Sequence, residues 1–333
     1  MTRSDFILYG SGCCYGSTLA QTGAASLRAI VFPSASQLPF WAAQAIGAFS
    51  RQGLSVTIAA TPGSVYLFQH LAAGDFEIGF AAFDNAVAYD EGQGEAQLPA
   101  PAEFVAFMGC ENGMQRIIAR PEIGSLADLR GKTVALDAPG TGYAFLLYKA
   151  LELGGLRRGD YRVESVGGTQ QRFMALASSD RYAATLVNPP YDLQLGDRGF
   201  RQLSDPVELV GRYQGIAGLT TRSWMSRNLG VLTRFVRAYL AGLAWIYDPA
   251  NRVEAVALLS ANAKISPDLA ERVFAGLIAP RTGFFPRAQL DLEGARTVLE
   301  LRSEYGTPKK RLQDPYKYYD DRAYRAATGS GAG

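Results

Sequence analysis

From Leu27 onward, short apolar runs alternate with stretches in which apolar residues recur at helical spacing. The run LRAIVF predicts a strand, PSASQ a loop, and LPFWAAQAIGAFSRQG a helix with an apolar face between Ala42 and Phe49 that ends at Gly53. Strands that alternate with helices in this way are typical of a parallel or mixed sheet covered by helices. The pattern therefore predicts an α/β fold.

Two further units of the same kind follow the first. LSVTIAA predicts a strand before a helix from Ser64 to Gly74, and FEIGFAAF predicts a strand that leads to Asp84 as a helix cap. After the polar, Pro-rich loop EGQGEAQLPAPAE, the run FVAFMGC predicts a strand that ends near Cys110. These units together make one predicted lobe.

A second series of units begins near Asn112. Ser125 and Asp128 have capping-box spacing, TVAL predicts a strand, and a helix that contains Tyr143 follows. The strand YRVESV, a helix opened by Thr169, the strand AATLV and a Pro-rich turn at 188–190 continue the series. This second series predicts a second lobe.

The pattern becomes helical after Asp205. VLTRFVRAYLAGLAWI carries one apolar stripe, and two further helical stretches extend to about Tyr305, so these helices are expected to return to the first lobe. The final segment, PYKYYDDRAYRAATGSGAG, predicts an aromatic strap and a disordered tail. The predicted division is 1–26 leader or disordered, 27–111 and 207–326 lobe I, 112–206 lobe II, and 327–333 tail.

Composition narrows the function. A chain of 333 residues exceeds what one core usually serves, which favours two domains. The formal net charge of +2 gives no field suited to a phosphate backbone, so nucleic acid is not an expected partner. No run approaches the roughly 18 to 20 consecutive apolar residues of a membrane span.

Residues suited to catalysis or metal binding are scarce. The only histidine is His70, which lies inside a predicted helix, and the cysteines are Cys13, Cys14 and Cys110. This set is too small for a zinc or iron site of usual spacing, and any histidine-dependent triad would need His70. We therefore expect no enzyme activity, no metal and no cofactor.

The N-terminus makes a poor export signal. In MTRSDFILYGSGCCYGSTLAQTGAAS the apolar stretch runs only from Phe6 to Tyr9, whereas a signal peptide has about 7 to 15 apolar residues. LAQTGAA does resemble a cleavage region. Either the export signal is defective as written, or the start of the sequence is truncated or misplaced.

Several segments carry a family resemblance. FPSASQLPFWAAQAIGAFSRQGLSVTI, LAAGDFEIGFAAFDNAVAYDEGQ, SLADLRGKTVAL and SWMSRNLGVLTRFVRAYLAGLAWIYDPANRVEAVALL resemble substrate-binding proteins of bacterial ABC importers, in the group for alkanesulfonates, taurine, nitrate or thiamine-precursor pyrimidines. The resemblance spans roughly Leu27 to Tyr319. It implies the type II periplasmic-binding fold, with two α/β lobes of mixed sheet joined by two crossover strands. It also implies a periplasmic monomer that delivers a small molecule to an ABC permease at the membrane.

The candidate ligand-binding residues lie in the loops at the predicted strand ends. In open α/β sheets ligands bind outside the carboxyl ends of the strands, where helix N-termini offer free amide donors. The candidates are Ser34, Ser36, Gln37, Phe40, Gly63, Ser64, Phe83, Asp84, Asn85, Cys110, Asp137, Thr141, Gly142, Tyr143, Thr169, Asn188 and Tyr191. Ser64, Asp84, Thr141 and Thr169 also suit plain helix caps, and Tyr143 also suits the core.

Two ligand classes stay open. Helix N-termini suit an anion such as a sulfonate, whereas Asp84 and Asp137 favour an amine or a pyrimidine. The aromatic residues Phe40, Phe83, Tyr143 and Tyr191 add weight to a planar or aromatic nitrogen-containing compound.

Two other functions remain as alternatives. The resemblance extends to synthases of the thiamine pyrimidine and to a desulfinase with a nucleophilic cysteine in the first loop. This chain has Ser34 and Ser36 in that loop instead of a cysteine. The other alternative is a receptor that presents its ligand to a sensor kinase.

Overall fold

Two five-stranded mixed sheets organise the protein. The computed structural model describes residues 24–99 and 102–329. The predicted leader up to residue 23 and the last four residues of the predicted tail therefore lie outside the described residues. The strands are β1 Ala25–Val31, β2 Leu54–Ala60, β3 Ile78–Ala82, β4 Phe104–Gly109, β5 Arg116–Ala119, β6 Thr133–Leu136, β7 Arg162–Ser165, β8 Ala184–Val187, β9 Arg201–Ser204 and β10 Ile216–Thr221.

The two sheets share one topology. The first has the order β2-β1-β3-β10-β4, in which β1 is parallel to β2 and β3, and β10 is antiparallel to β3 and β4. The second has the order β7-β6-β8-β5-β9, in which β6 is parallel to β7 and β8, and β5 is antiparallel to β8 and β9. We name the first sheet with its helices lobe I and the second lobe II. The predicted α/β class with mixed sheets is confirmed.

The chain crosses between the lobes twice. It passes from β4 to β5 through residues 110–115, and it returns from β9 to β10 through residues 205–215. Each crossing supplies the antiparallel strand of the sheet that it enters, because β5 and β10 are the inserted strands. The residue boundaries of the two lobes stay a prediction.

Helices cover both sheets. They are α1 Leu38–Ala45, α2 Ala48–Arg51, α3 Ser64–Ala73, α4 Phe83–Asp90, α5 Gly142–Leu153, α6 Thr169–Ser178, α7 Tyr191–Gly196, α8 Pro206–Val210, α9 Arg222–Arg227, α10 Leu229–Tyr247, α11 Arg252–Ala263, α12 Pro267–Leu277, α13 Leu292–Tyr305 and α14 Arg322–Thr328. Short 3₁₀ helices lie at Ala35–Gln37, Leu126–Leu129, Pro249–Asn251 and Pro315–Tyr318.

The first predicted helix is interrupted. Gly47 has φ +67°, a left-handed conformation that a helix interior does not allow, and it separates α1 from α2. By contrast, Gly74 (φ +80°) ends α3 where the sequence places the end. The Ser125–Asp128 capping box is present, although the helix it opens is a 3₁₀ turn.

The helices after β10 pack on lobe I, and one of them also contacts lobe II. α10 packs on α1 and α14, while α13 lies between α4 of lobe I and α5 of lobe II. α10 is long and apolar enough to span a membrane, but half of its apolar stretch is buried inside the protein. Its buried stripe includes Phe235, Tyr239 and Leu243, as expected of a core helix.

The C-terminal segment pairs with β4 of lobe I. Tyr319 forms a parallel bridge with Ala106, and the Asp320 amide donates to the Ala106 carbonyl at 2.9 Å. α14 then packs on α10 and extends to Thr328, which is two residues into the predicted tail.

Candidate functional site

A pocket lies between the lobes at the carboxyl ends of their parallel strands. It encloses about 700 Å³ of space among its lining atoms, part of which opens to solvent. The segments after β1, β2 and β3 reach it from lobe I, and those after β6, β7 and β8 reach it from lobe II. The lining residues are Phe32, Ser34, Ser36, Gln37, Ser64, Phe80, Ala82, Asn85, Cys110, Gln115, Asp137, Thr141, Gly142, Tyr143, Thr169, Arg172, Asn188, Ile216 and Tyr239.

Part of the pocket wall is apolar. Phe80 and Tyr239 stack with ring centroids 5.6 Å apart, and Phe40 packs behind them from the core. Phe32 and Ile216 add to the apolar part of the lining. An apolar wall with a few polar groups is the usual composition of a small-molecule site.

Three hydroxyl side chains stand at helix starts in the pocket, and none caps its helix. No side-chain cap bond is present at α3, α5 or α6. The Thr141 hydroxyl instead donates to the Ala138 carbonyl at 3.0 Å, while Ser64 Oγ is buried without a partner. The simple capping interpretation of Ser64, Thr141 and Thr169 is therefore not what the structure shows.

Arg172 brings a buried positive charge to the pocket. It lies one turn into α6 and is 3% exposed. Its Nη2 donates to Thr169 Oγ1 at 2.9 Å, whereas its Nε has no hydrogen-bond partner. Burial lowers the pKa of this guanidinium, and the negative charge of Asp137 acts in the opposite direction.

Buried polar atoms without partners concentrate in this pocket. Eight such side-chain atoms occur among the described residues. Six of them belong to lining residues: Gln37 Oε1, Ser64 Oγ, Gln115 Oε1, Tyr143 OH, Arg172 Nε and Asn188 Oδ1. A buried polar group left without a hydrogen bond costs about 1 to 3 kcal/mol, so this concentration indicates a place where water or a ligand completes the hydrogen bonds.

The lobes are in direct contact around the pocket. The Gly168 amide donates to the Pro62 carbonyl at 3.0 Å, and the Ala35 amide donates to the Pro189 carbonyl at 3.1 Å. Asp137 Oδ2 of lobe II accepts from the Ser64 amide of lobe I at 3.3 Å. The structure thus has a closed cleft.

Most of the sequence-predicted candidates lie together in this lining. Each parallel strand contributes through the loop or helix start that follows it, as the strand-end argument expects. The candidates in the lining are Ser34, Ser36, Gln37, Ser64, Asn85, Cys110, Asp137, Thr141, Gly142, Tyr143, Thr169 and Asn188.

Four candidates lie just outside the lining. Phe40 is 1% exposed in the lobe I core, and Phe83 is fully buried beside Tyr318. Tyr191 packs on Phe173, and its hydroxyl donates to the Pro33 carbonyl at 3.3 Å. Gly63 precedes Ser64, and a Cβ there would approach Asp137 Oδ1 to 3.2 Å.

Asp84 also lies outside the lining, and its role differs from the predicted one. It is not a helix cap, since it lies in the first turn of α4 and makes no cap bond. Its carboxylate instead accepts from Arg302 Nε at 2.6 Å and from Arg302 Nη2 at 2.5 Å. With both residues at most 1% exposed, this carboxylate is committed to α13 and does not face a ligand.

Several lining residues escaped the sequence reasoning. Arg172 follows Thr169 by three residues, and this helical spacing is the sequence signal that places both residues on one face of α6. Tyr239 belongs to a stripe that reads as core, and Gln115 lies in a crossover. The remaining missed residues are Phe32, Phe80, Ala82 and Ile216.

The groups that would serve catalysis are poorly placed for it. Burial raises the pKa of the Cys110 thiol, so the nucleophilic thiolate is disfavoured. His70 lies outside the lining, where its Nδ1 is 2.6 Å from Asp75 Oδ2 and its ring lies against Tyr66. The part of the chain that the structure describes holds no group of three or more His, Cys, Asp or Glu suited to a metal ion.

Solved structures share this architecture. The alkanesulfonate-binding protein SsuA from Xanthomonas axonopodis pv. citri, bound to MOPS, aligns with a TM-score of 0.71 at 18% identity, over 89% of this chain and 99% of that one. The periplasmic nitrate-binding protein NrtA from Synechocystis PCC 6803 aligns with a TM-score of 0.76 at 15% identity, over 92% of this chain and 89% of that one. The predicted periplasmic-binding fold is confirmed.

The same fold also includes an enzyme. The desulfurization enzyme DSZB aligns with a TM-score of 0.63 at 14% identity, over 92% of this chain and 99% of that one. A search of curated proteins finds no match.

Residues 34–252, more than half of the chain, match the family model described as "NMT1/THI5 like". The chain therefore belongs to the NMT1/THI5-like family.

Proposed function

We propose that this protein is a solute-binding protein that closes its two lobes around a small organic molecule and delivers it to an ABC importer. The observation that carries the proposal is the group of six unpartnered buried polar atoms in one pocket between the lobes. A bound solute would satisfy these atoms and bury its apolar part against Phe80 and Tyr239.

The names of the structural neighbours support the same role. Two of them are described as binding proteins for an alkanesulfonate and for nitrate, and their folds align over most of this chain. The enzymatic alternative has less support, because burial disfavours the thiolate form of Cys110 and His70 lies away from the pocket. Periplasmic location and an ABC permease partner are parts of this proposal.

The case for an amine, a pyrimidine or an aromatic ligand is weaker than the sequence alone suggests. Asp84 no longer favours an amine or a pyrimidine, because its carboxylate is paired with Arg302. Of the four aromatic candidates, only Tyr143 lines the pocket. A sulfonate or another anion and a planar nitrogen-containing compound both remain within the proposal.

A binding screen tests the proposal. The purified protein is analysed by native mass spectrometry for co-purified compounds, and its melting is measured with sulfonates, pyrimidines, aromatic acids and polyamines. A true ligand at one hundred times its dissociation constant adds about 2.7 kcal/mol to the free energy of unfolding, which is several degrees of melting shift. The proposal is overturned if nothing co-purifies and no compound shifts the melt.

A matched pair of variants locates the binding. Ser36→Tyr adds a ring in the pocket, whereas Ser50→Tyr makes the same change on the exposed side of α2. We expect Ser36→Tyr to abolish the melting shift and Ser50→Tyr to keep it. Equal shifts in the two variants would place the ligand elsewhere.

A further comparison separates import from sensing. Genes for a permease and an ATPase beside this gene favour import, whereas a sensor-kinase gene favours the receptor role. Uptake of the identified ligand should then fall in cells that lack the binding protein and recover with the wild-type chain but not with Ser36→Tyr.

A further inference from the structure

The charges inside the pocket are not balanced against each other. Among the described residues that line the pocket, two carry a formal charge, Arg172 and Asp137. No carboxylate oxygen of the described residues lies within 4.0 Å of an Arg172 nitrogen. A guanidinium that is 3% exposed and has no ion-pair partner is costly unless a ligand supplies the opposite charge.

Asp137 is occupied elsewhere. Its Oδ2 accepts from the Ser64 amide at the N-terminus of α3. A helix N-terminus is a favourable place for a negative charge, and at α3 the carboxylate of the opposite lobe already fills it. An anionic ligand is therefore directed away from α3 and toward Arg172 and Thr169 at the start of α6.

Two glutamine side chains present acceptors to the pocket. Gln37 Nε2 donates to the Phe32 carbonyl at 3.0 Å, and Gln115 Nε2 donates to the Gly113 carbonyl at 2.9 Å. These bonds fix the orientation of each amide, so that the Oε1 atom of each is left without a partner. Each oxygen can be satisfied by an N–H or O–H group of a ligand.

We propose, on the basis of the solute-binding function above, that the ligand is a small organic acid with an N–H or O–H donor. Its anionic group binds Arg172 and Thr169 in lobe II. Its donor group binds the amide oxygen of Gln37 in lobe I or of Gln115 in the crossover. The apolar part of the ligand lies against Phe80 and Tyr239. This assignment makes Arg172 the residue that selects acids over neutral and cationic solutes.

Calorimetric titration with matched compounds tests the assignment. The acids are 4-hydroxybenzoate, 4-aminobenzoate, 4-hydroxybenzenesulfonate and 3-aminopropanesulfonate. Benzoate lacks the donor, 4-hydroxybenzamide lacks the charge, and putrescine is cationic. We expect at least one donor-bearing acid to bind at least about 10-fold more tightly than its uncharged counterpart, since a hydrogen bond to a charged group is worth about this factor or more. The same acid should bind by a smaller factor more tightly than its donor-free counterpart, since the glutamine amides are neutral.

Variants then test the residue. Arg172→Met removes the charge but keeps an unbranched stem, and we expect it to weaken acid binding by about 10- to 100-fold. Arg172→Lys keeps the charge and should recover part of the affinity. Arg181→Met, on an exposed arginine of the same lobe, should leave binding unchanged. Arg172→Lys also serves as the test if Arg172→Met fails to fold, since lysine lacks the Nε–H donor of the guanidinium and should still bind the acid less tightly.

The possible outcomes separate the two proposals. If no panel compound binds, the charge of the co-purified compound decides: an acid supports the assignment, and a neutral or cationic compound overturns it. Tight binding of putrescine or 4-hydroxybenzamide, unchanged in the Arg172 variants, also overturns the assignment but leaves the solute-binding function standing. If nothing binds and nothing co-purifies, the solute-binding function itself fails, and the assignment fails with it.

Discussion

Two buried arginines, Arg172 in the pocket and Arg302 at the contact of the lobes, differ in how their guanidinium groups are satisfied. Arg302 is fully buried and makes a bidentate pair with Asp84, and it also donates to Gln93 Oε1 at 3.2 Å and to the Gly140 carbonyl at 2.8 Å. Arg172 is nearly as buried but makes one hydrogen bond, to Thr169, and leaves Nε unpaired.

The contrast shows that burial of a charge does not by itself identify a binding residue. Arg302 joins α13 to α4 and reaches the Gly140 carbonyl in lobe II, so its partners belong to the protein and its role is structural. Arg172 has one hydrogen-bond partner in the protein, Thr169, and no carboxylate partner, so in the proposed assignment its charge pairs with that of a solute. Satisfaction of the buried charge is therefore the property that separates the two roles.

Removal of Arg302 should have the largest effect. Arg302→Met leaves the Asp84 carboxylate buried without a cation, and we expect the free energy of unfolding to fall by about 3 to 5 kcal/mol. Urea unfolding measures the change. Arg272→Met breaks the exposed pair with Asp197 and should cost about 0 to 1 kcal/mol. Similar losses in the two variants would contradict the structural role of Arg302.

The pH dependence of stability tests a third buried charge, Glu111. Its carboxylate accepts from the Ile216 amide at 3.0 Å and from the Gly113 amide at 2.6 Å, which ties the first crossover to the start of β10. Burial raises the pKa of Glu111 from 4.5 to about 7, despite these two hydrogen bonds. Unlike Arg302, this group has no ion-pair partner among the described residues.

The sign of the effect follows from proton binding. Between the unfolded and folded pKa values the folded state keeps a proton that the unfolded state has lost, so stability falls as pH rises from about 5 to 7.5. The expected loss from Glu111 is about 2 to 3 kcal/mol. Asp90 and Asp192, whose pKa values burial raises to about 6, add to the same trend. Glu111→Gln should reduce the slope, and an unchanged slope would assign the trend to the aspartates.

Removal of Arg172 should act in the opposite direction from removal of Arg302. In protein freed of solute by unfolding and refolding, Arg172→Met removes an unpaired buried charge. We expect the free energy of unfolding to stay level or to rise by about 1 kcal/mol. The same urea titration measures it. A loss comparable to that of Arg302→Met would show that Arg172 is satisfied within the protein, and the contrast between the two arginines would fail.

The location of the pocket is accessible to sequence reasoning, but its charge balance is not. Short apolar runs followed by Gly, Ser and Thr mark the strand ends, and the structure brings Ser64, Thr141 and Thr169 from three such ends into the lining of one pocket. The partner of Asp84 is Arg302, which is 218 positions away in sequence. Without knowledge of that pair, Asp84 looks like a free negative charge at the cleft.

Arg172 shows the converse difficulty. A polar residue one turn into a helix suggests a solvated face, and only the packing of α6 against the pocket reveals that this side chain is buried. Tyr239 is hidden for a similar reason, because a helical stripe does not tell which of its members ends at a cavity. Long-range packing decides both cases.

The smallest effect is expected at His70, the only histidine of the chain. Its ring is about one third exposed and pairs with the exposed carboxylate of Asp75, so it forms a polar contact that is neither buried nor part of the pocket. His70→Ala should change the free energy of unfolding by less than about 1 kcal/mol and the affinity for an identified ligand by less than about twofold. Mass spectrometry of the ligand after prolonged incubation should find it unaltered with either protein. If the wild-type protein converts the ligand and His70→Ala does not, His70 has a catalytic role. A side chain with only a structural role would not be needed for turnover.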